Sequence, residues 1–178
     1  MIFMGIRPGR TVRTPRRAWS RTAKRVATKA FVKGVPDSRI HMFEMGSPSK
    51  KSQFDVQIDL VAQGHVQIRD NALESARVSA NKLFEKKILP ENYFFKVRVY
   101  PHQCLREHTM ATGAGADRIS SGMRLSFGKP SGRAAVVTDG QAVMTVYTTK
   151  KFREDGWKGL ERAAKKMPGS SIIVEKKK

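Results

Sequence analysis

Residues 54–87 read FDVQIDLVAQGHVQIRDNALESARVSANKLFEKK, and a change of period inside them decides the fold. Phe54, Val56, Ile58 and Leu60 alternate with Asp55, Gln57 and Asp59, the pattern of a strand with one buried and one polar face. Gly64 breaks the alternation, and Val66-Gln67-Ile68 is expected to continue the same sheet. From Asn71 to Lys87 the period lengthens. Leu73, Ala76, Ala80, Leu83 and Phe84, then Ile88, follow the 3–4 spacing that lays one helical stripe against a sheet. The small Ala76 and Ala80 let that helix approach closely. Asn71 with Glu74 three residues on predicts a capping box, and Pro90 ends the helix.

Working outward, Gly34-Val35-Pro36-Asp37 reads as a turn, Ile40 to Met45 as a short strand and Gly46 to Lys50 as a loop. Tyr93 to Tyr100 reads as a strand in which Phe95, Val97 and Val99 alternate with Lys96 and Arg98, so its outward face is basic and suits RNA. Ala134 to Val137 and Ala142 to Thr148 are β-rich, and Asp139-Gly140 between them predicts a hairpin, because the tight turn needs positive φ. A second helix is expected over Glu154 to Met167, with Trp157, Leu160, Ala164 and Met167 as its apolar stripe and Trp157 as a core anchor. Pro168-Gly169 stops it. Ile172-Ile173-Val174 is the last expected strand, and Lys176-Lys177-Lys178 reads as a basic tail.

The chain has 178 residues, which suits one domain, or one domain and a tail. Its 35 Lys and Arg against 15 Asp and Glu give a net charge of +20. So much charge of one sign repels itself and calls for a polyanion, with nucleic acid the leading candidate. An anionic membrane is the alternative, but no apolar run approaches the ~20 residues of a spanning helix. Met1 to Met4 is too short for a signal core. Residues 7 to 33 carry ten basic side chains before the first acid at Asp37: Arg7, Arg10, Arg13, Arg16, Arg17, Arg21, Lys24, Arg25, Lys29 and Lys33. This arm is expected to bind phosphates, with Trp19 available to stack on a base.

The stretch 105–133, LREHTMATGAGADRISSGMRLSFGKPSGR, keeps neither period and is expected to be a long functional loop. It has five glycines, Arg106, Arg118, Arg124, Lys129 and Arg133 spread along it, and one bulky aromatic, Phe127. Glycine lets backbone amides approach phosphates, and guanidinium groups bind them. Nucleotide-enzyme patterns fail on spacing. Gly113-Ala114-Gly115 lacks the third glycine of a dinucleotide fingerprint, whose place holds Arg118. Gly122 and Gly128 are five residues apart where a P-loop needs four, and Lys129 precedes Pro130. None of His41, His65, His102 and His108 stands in a metalloprotease motif, and the single cysteine, Cys104, excludes an internal disulfide or a zinc knuckle. His102 with Cys104 is a weak nucleophile pair; a packed cysteine beside a polar histidine is the better reading. Glu107 and Asp117 are separated by nine residues. No catalytic role, metal, cofactor or small-molecule substrate is expected.

The segment AGADRISSGMRLSFGKPSG (114–132) resembles the signature of a universal large-subunit ribosomal protein family, the L-sixteen/L-ten-e family. FVKGVPDSRI (31–40), FEMG (43–46), ALESARVSANK (72–82) and VYPHQCLRE (99–107) extend the resemblance, in the same order, over about residues 31–167. The detail of ATGAGADR looks archaeal. The N-terminus departs: RPGRTVRTPRRAWSRTAKR (7–25) lacks the tyrosines usual in the family.

The resemblance implies an α+β fold, a two-layer α/β sandwich with a mainly antiparallel sheet and two packed helices. That gives one domain over 34–175 between an arm at 1–33 and a tail at 176–178. It also implies a cytoplasmic role as a structural constituent of the large subunit, bound to rRNA and neighbouring ribosomal proteins. Family members help to shape the A- and P-site tRNA corridor near the peptidyl transferase centre without doing the chemistry. Carried over, Arg106, His108, Thr109, Met110, Thr112, Gly113, Gly115 and Arg118 would face tRNA. The arm residues with Lys96, Arg98, Arg124, Lys129 and Arg133 would bind rRNA. The rival reading is a free regulatory RNA- or DNA-binding protein, which would share the charge but not the motifs.

Overall fold

The structure is a computed structural model that describes Val12, Val32 and residues 34–177 except Thr109, Thr112 and Ser121, and without the side chains of Asp117, Ile119 and Lys177. Apart from Val12 and Val32, the basic arm, Trp19 included, lies outside the described residues.

Among the described residues, eight strands form two sheets. β1 (Glu44–Gly46), β4 (Tyr93–Val97), β7 (Ala142–Thr148), β2 (Val56–Gln63) and β8 (Ser170–Lys177) lie side by side in that order. β3 (Val66–Arg69), β6 (Lys129–Val137) and β5 (Gln103–Glu107) make the smaller sheet. Every neighbouring pair is antiparallel. Two long helices, α1 (Asp70–Lys87) and α3 (Arg153–Ala164), pack on each other and on the strands, and the expected α+β architecture holds. A short helix, α2 (Ala116–Ile119), lies in the segment between β5 and β6.

The core follows the period change. Ile58, Leu60, Leu73, Ala76, Ala80, Phe84, Phe95, Val146, Leu160 and Ala163 are all fully enclosed. Phe84 sits edge-on to Phe95 and tilted against Tyr93, each with centroids 5.4 Å apart. Burial raises the pKa of the Tyr93 phenol, and the nearby Glu85 charge adds to it. The neutral phenol donates to Asn81 Oδ1 at 2.9 Å.

Several expectations need correction. Residues 66–69 do not continue the first sheet, and the Asp139-Gly140 turn does not close a hairpin: β6 and β7 lie in different sheets. The turn is a corner instead. Gly64 N donates to Asp139 Oδ1 at 2.7 Å, Gly140 N to the Ala62 carbonyl at 3.1 Å, and Ala62 N to the Gln141 carbonyl at 3.0 Å. Gly64 and Gly140 take φ of 84° and 72°, so two of the crossings between the sheets, β2 to β3 and β6 to β7, turn on glycine at one place.

The capping box is also absent. Arg69 is the N-cap and makes no side-chain cap, while Glu74 binds the Arg77 guanidinium, with Arg77 Nε at 2.9 Å. That hydrogen bond raises the pKa of Arg77 against the lowering effect of burial. Asp70 serves the helix start, accepting from Asn71 N at 2.8 Å and from Arg39 N at 3.1 Å. Its carboxylate is buried at the positive end of α1, where a negative charge is favoured. Asp70→Ala should therefore cost about 1–2 kcal/mol by leaving Arg39 N and Asn71 N unsatisfied. A urea titration reads this directly. Loss of under ~0.3 kcal/mol would show that water replaces the carboxylate freely.

Trp157 is 39 % exposed and is no core anchor. The buried face of α3 is Gly156, Gly159, Leu160 and Ala163. The polar face of β2 differs from expectation too, since Asp59 is fully buried. Its carboxylate is compensated there: Gln57 Nε2 donates to both oxygens at 2.9 Å and Lys176 Nζ lies 3.3 Å away. Lys176 and Lys177 thus belong to β8, paired with Gln57 and Val56 of β2. Beside them, Phe54, Phe94 and Tyr147 form a separate small cluster on the sheet.

Candidate nucleic-acid interface

The expected loop is shorter than its sequence signature. β5 and β6 reach into it from both ends, with Leu105 opposite Gly132, Arg106 opposite Pro130 and Glu107 opposite Lys129. The register slips between Leu105 and Arg106. At the top of this ladder Gly128 takes φ of 88°, and a Cβ there would stand 2.9 Å from the carbonyl carbon of Glu107. Only glycine lets the two backbones approach so closely. Segment 108–128 therefore rises from a fixed base.

Within it, Gly115 at φ 77° opens α2, which closes with Ser120 N donating to the Ala116 carbonyl at 2.8 Å. The following turn is held by Ser126 N on the Met123 carbonyl at 3.1 Å and Gly128 N on the Leu125 carbonyl at 2.8 Å. Leu125 carries the one positive φ (58°) of the described non-glycine residues. Such a conformation is uncommon for leucine and costs on the order of 1–3 kcal/mol, so the surroundings must hold it. The turn projects Met123, Leu125 and Phe127 outward at 67 %, 57 % and 68 % exposure. Under Phe127 lies Arg106, with its guanidinium carbon 3.4 Å from the ring centroid. Arg118, Arg124 and Lys129 are exposed, and none forms an ion pair with a described side chain.

The other residues read as phosphate ligands fall into two groups. Arg133 is on β6, where its Nε donates to the Pro36 carbonyl at 2.8 Å. Lys96 is on β4 of the larger sheet, and Arg98 follows directly after that strand, its N donating to the Val143 carbonyl at 2.8 Å. Lys96 pairs with Glu44 at 2.5 Å, and Arg98 Nη2 reaches the Tyr147 hydroxyl at 3.4 Å. Their strand face carries positive charge, but part of it is neutralised within the protein. Among the residues read as facing tRNA, Arg106, His108, Met110, Gly113, Gly115 and Arg118 all fall in segment 106–118, while Thr109 and Thr112 lie outside the described residues. The sequence reading assigned no role to Phe127, although a lone aromatic in a glycine-rich basic loop was the available signal.

A cavity of about 630 Å³ lies elsewhere, lined by Ser52, Phe54, Asp55, Val56, Lys150, Arg153 and Glu175. Its Arg153 is neutralised by Glu175, whose hydrogen bond raises the arginine pKa. Among the described residues no group of three His, Cys, Asp or Glu side chains could hold a metal ion. No described helix is long and apolar enough to cross a membrane.

A small α+β body carrying a rigidly rooted, cationic glycine-rich loop defines a class of basic proteins shaped to lie against a polyanion. The family model described as ribosomal protein L16p/L10e matches residues 17–174, and the chain belongs to that family. It is 48 % identical over 165 residues to the large ribosomal subunit protein uL16 of Archaeoglobus fulgidus, covering 92 % of this chain and 94 % of that protein. The uL16 of Methanococcus maripaludis is 42 % identical over 172 residues (96 % and 94 % covered). That of Hyperthermus butylicus is 43 % identical over 160 residues (90 % and 88 % covered).

Proposed function

We propose that this chain is a structural constituent of the large ribosomal subunit in the cytoplasm, held by rRNA and adjoining ribosomal proteins rather than acting as a catalyst. The observation that carries this reading is the family match across nearly the whole chain, with relatives named for that subunit. The charge of +20 supports it, because neutralising rRNA phosphates releases condensed counterions and makes binding tight and salt-dependent. Shape and backbone contacts, rather than base edges, would supply the specificity. Sedimentation of a lysate before and after a high-salt wash tests it. The chain should follow the large subunit at about one copy per particle and resist the wash. Remaining at the top of the gradient would favour the free regulatory binder.

In the finer reading, segment 106–118 faces the tRNAs and helps to shape their corridor. Arg118 is exposed and forms no ion pair with a described side chain, which leaves its guanidinium available for a phosphate. Arg118→Ala should slow tRNA accommodation roughly tenfold, the loss of one charge-assisted contact, while incorporation into particles stays near normal. Rapid-kinetic measurement of aminoacyl-tRNA entry on mutant ribosomes checks this. Normal entry with poor incorporation would move Arg118 to the rRNA side.

A further inference from the structure

We infer that Phe127 is a stacking platform for one unpaired base of large-subunit rRNA, with Arg106 backing the ring; this rests on the ribosomal reading above. The ring is 68 % exposed, yet one face already lies on a guanidinium 3.4 Å from its centroid. Stacking on Arg106 restricts the ring and leaves its other face for a partner. Two further features fix the platform. Gly128, next in the chain, is pressed against the Glu107 backbone, and the turn behind it is hydrogen-bonded through the left-handed Leu125. A strained turn held by two backbone hydrogen bonds, with an aromatic pointing outward, suggests a preorganised contact.

Charge selects the occupant. Arg124 and Lys129 flank the ring in sequence, both exposed and neither in an ion pair with a described side chain. A protein covering Met123, Leu125 and Phe127 would have to bring its own acids to these cations. An RNA strand brings phosphates on both sides of every base, and any base offers a π-face. Permanence selects rRNA over tRNA. Three large apolar side chains exposed on one turn invite association unless something covers them for the life of the particle, and a tRNA leaves in each cycle.

The test uses large subunits carrying the full-length chain with Phe127, Phe127→Trp, Phe127→Leu or Phe127→Ala, probed by acylation of rRNA 2′-hydroxyls. The ring is outside the core, so each variant keeps the fold, and Leu keeps apolar bulk without a stacking face. One unpaired rRNA nucleotide should be unreactive with Phe or Trp and become roughly tenfold more reactive with Leu and Ala, as base–aromatic stacking strengths imply. Arg106→Ala should raise the same nucleotide partway. No change at any rRNA nucleotide in the Leu and Ala particles overturns the proposal. So does Leu protecting as well as Trp, which would mean apolar packing alone, or a change confined to bound tRNA. Absence of the wild-type chain from the particles would instead sink the ribosomal reading and this inference with it.

Discussion

Removing residues 1–33 is expected to flatten the salt dependence of rRNA binding more than any point substitution. Ten Lys and Arg lie between residues 7 and 33 without a single acid among them. Each phosphate they neutralise contributes about 0.7–0.9 to the slope of log K against log salt. With all ten engaged, the full chain should lose about 10⁴–10⁵ in affinity between 50 and 200 mM salt beyond what the truncated chain loses. Filter binding to the cognate rRNA fragment at four salt concentrations measures both slopes. The truncated body should still fold, since the buried residues it needs run from Ile40 to Ala163. Among the described residues it gives up the bond of Gln67 N to the Val12 carbonyl at 3.0 Å on the small sheet. Parallel slopes for the two chains would mean that the arm contributes no phosphate contacts.

Gly159→Val is the second large effect expected, and it acts on the body rather than on binding. A Cβ at Gly159 would stand 2.1 Å from Phe84 Cε1 and 2.3 Å from its Cζ. Phe84 cannot turn aside, because it is fully buried between Tyr93 and Phe95. The helices α1 and α3 must therefore separate. Overpacking of this kind costs typically ~1–3 kcal/mol, and a β-branched side chain against a locked ring belongs at the upper end. At roughly 2–4 °C per kcal/mol for a chain of this size, the melting temperature should fall by about 6–12 °C. Differential scanning calorimetry decides it. An unchanged melting temperature would show that α3 slides freely over Phe84.

Gly159 also shows where the sequence was hard to read. The stripe of α1 was legible because large residues mark it: Leu73, Leu83 and Phe84 with small Ala76 and Ala80 between. The stripe of α3 was misread because two of its four buried positions are glycines, silent to any hydrophobic pattern, while the conspicuous Trp157 points outward. Asp139-Gly140 was recognised as a turn, but turn chemistry specifies a bend and not which strands pair beyond it. Asp59 looked like a solvent-facing residue because alternation reports two faces and not what later covers the second. In the candidate interface, glycine and charge made segment 105–133 stand out. The Arg106–Phe127 stack joins residues far apart in sequence across a ladder without alternation, so nothing local announced it.

The position of β8 has a consequence for synthesis. It lies beside β2, yet about a hundred residues separate Gln63 from Ser170. At roughly 5–20 residues per second, a growing chain would wait about 5–20 s before β8 exists to pair. Throughout that interval β2 is a bare edge, rich in Val, Ile and Leu, on a nascent chain crowded by its siblings on the same messenger. Asp59 then has no Lys176 to meet. An uncompensated carboxylate in the middle of the strand discourages a second copy from pairing there, and the lysine that neutralises it arrives on the strand meant to fill the place. The carboxylate that is buried in the finished fold guards the chain while it is still being made.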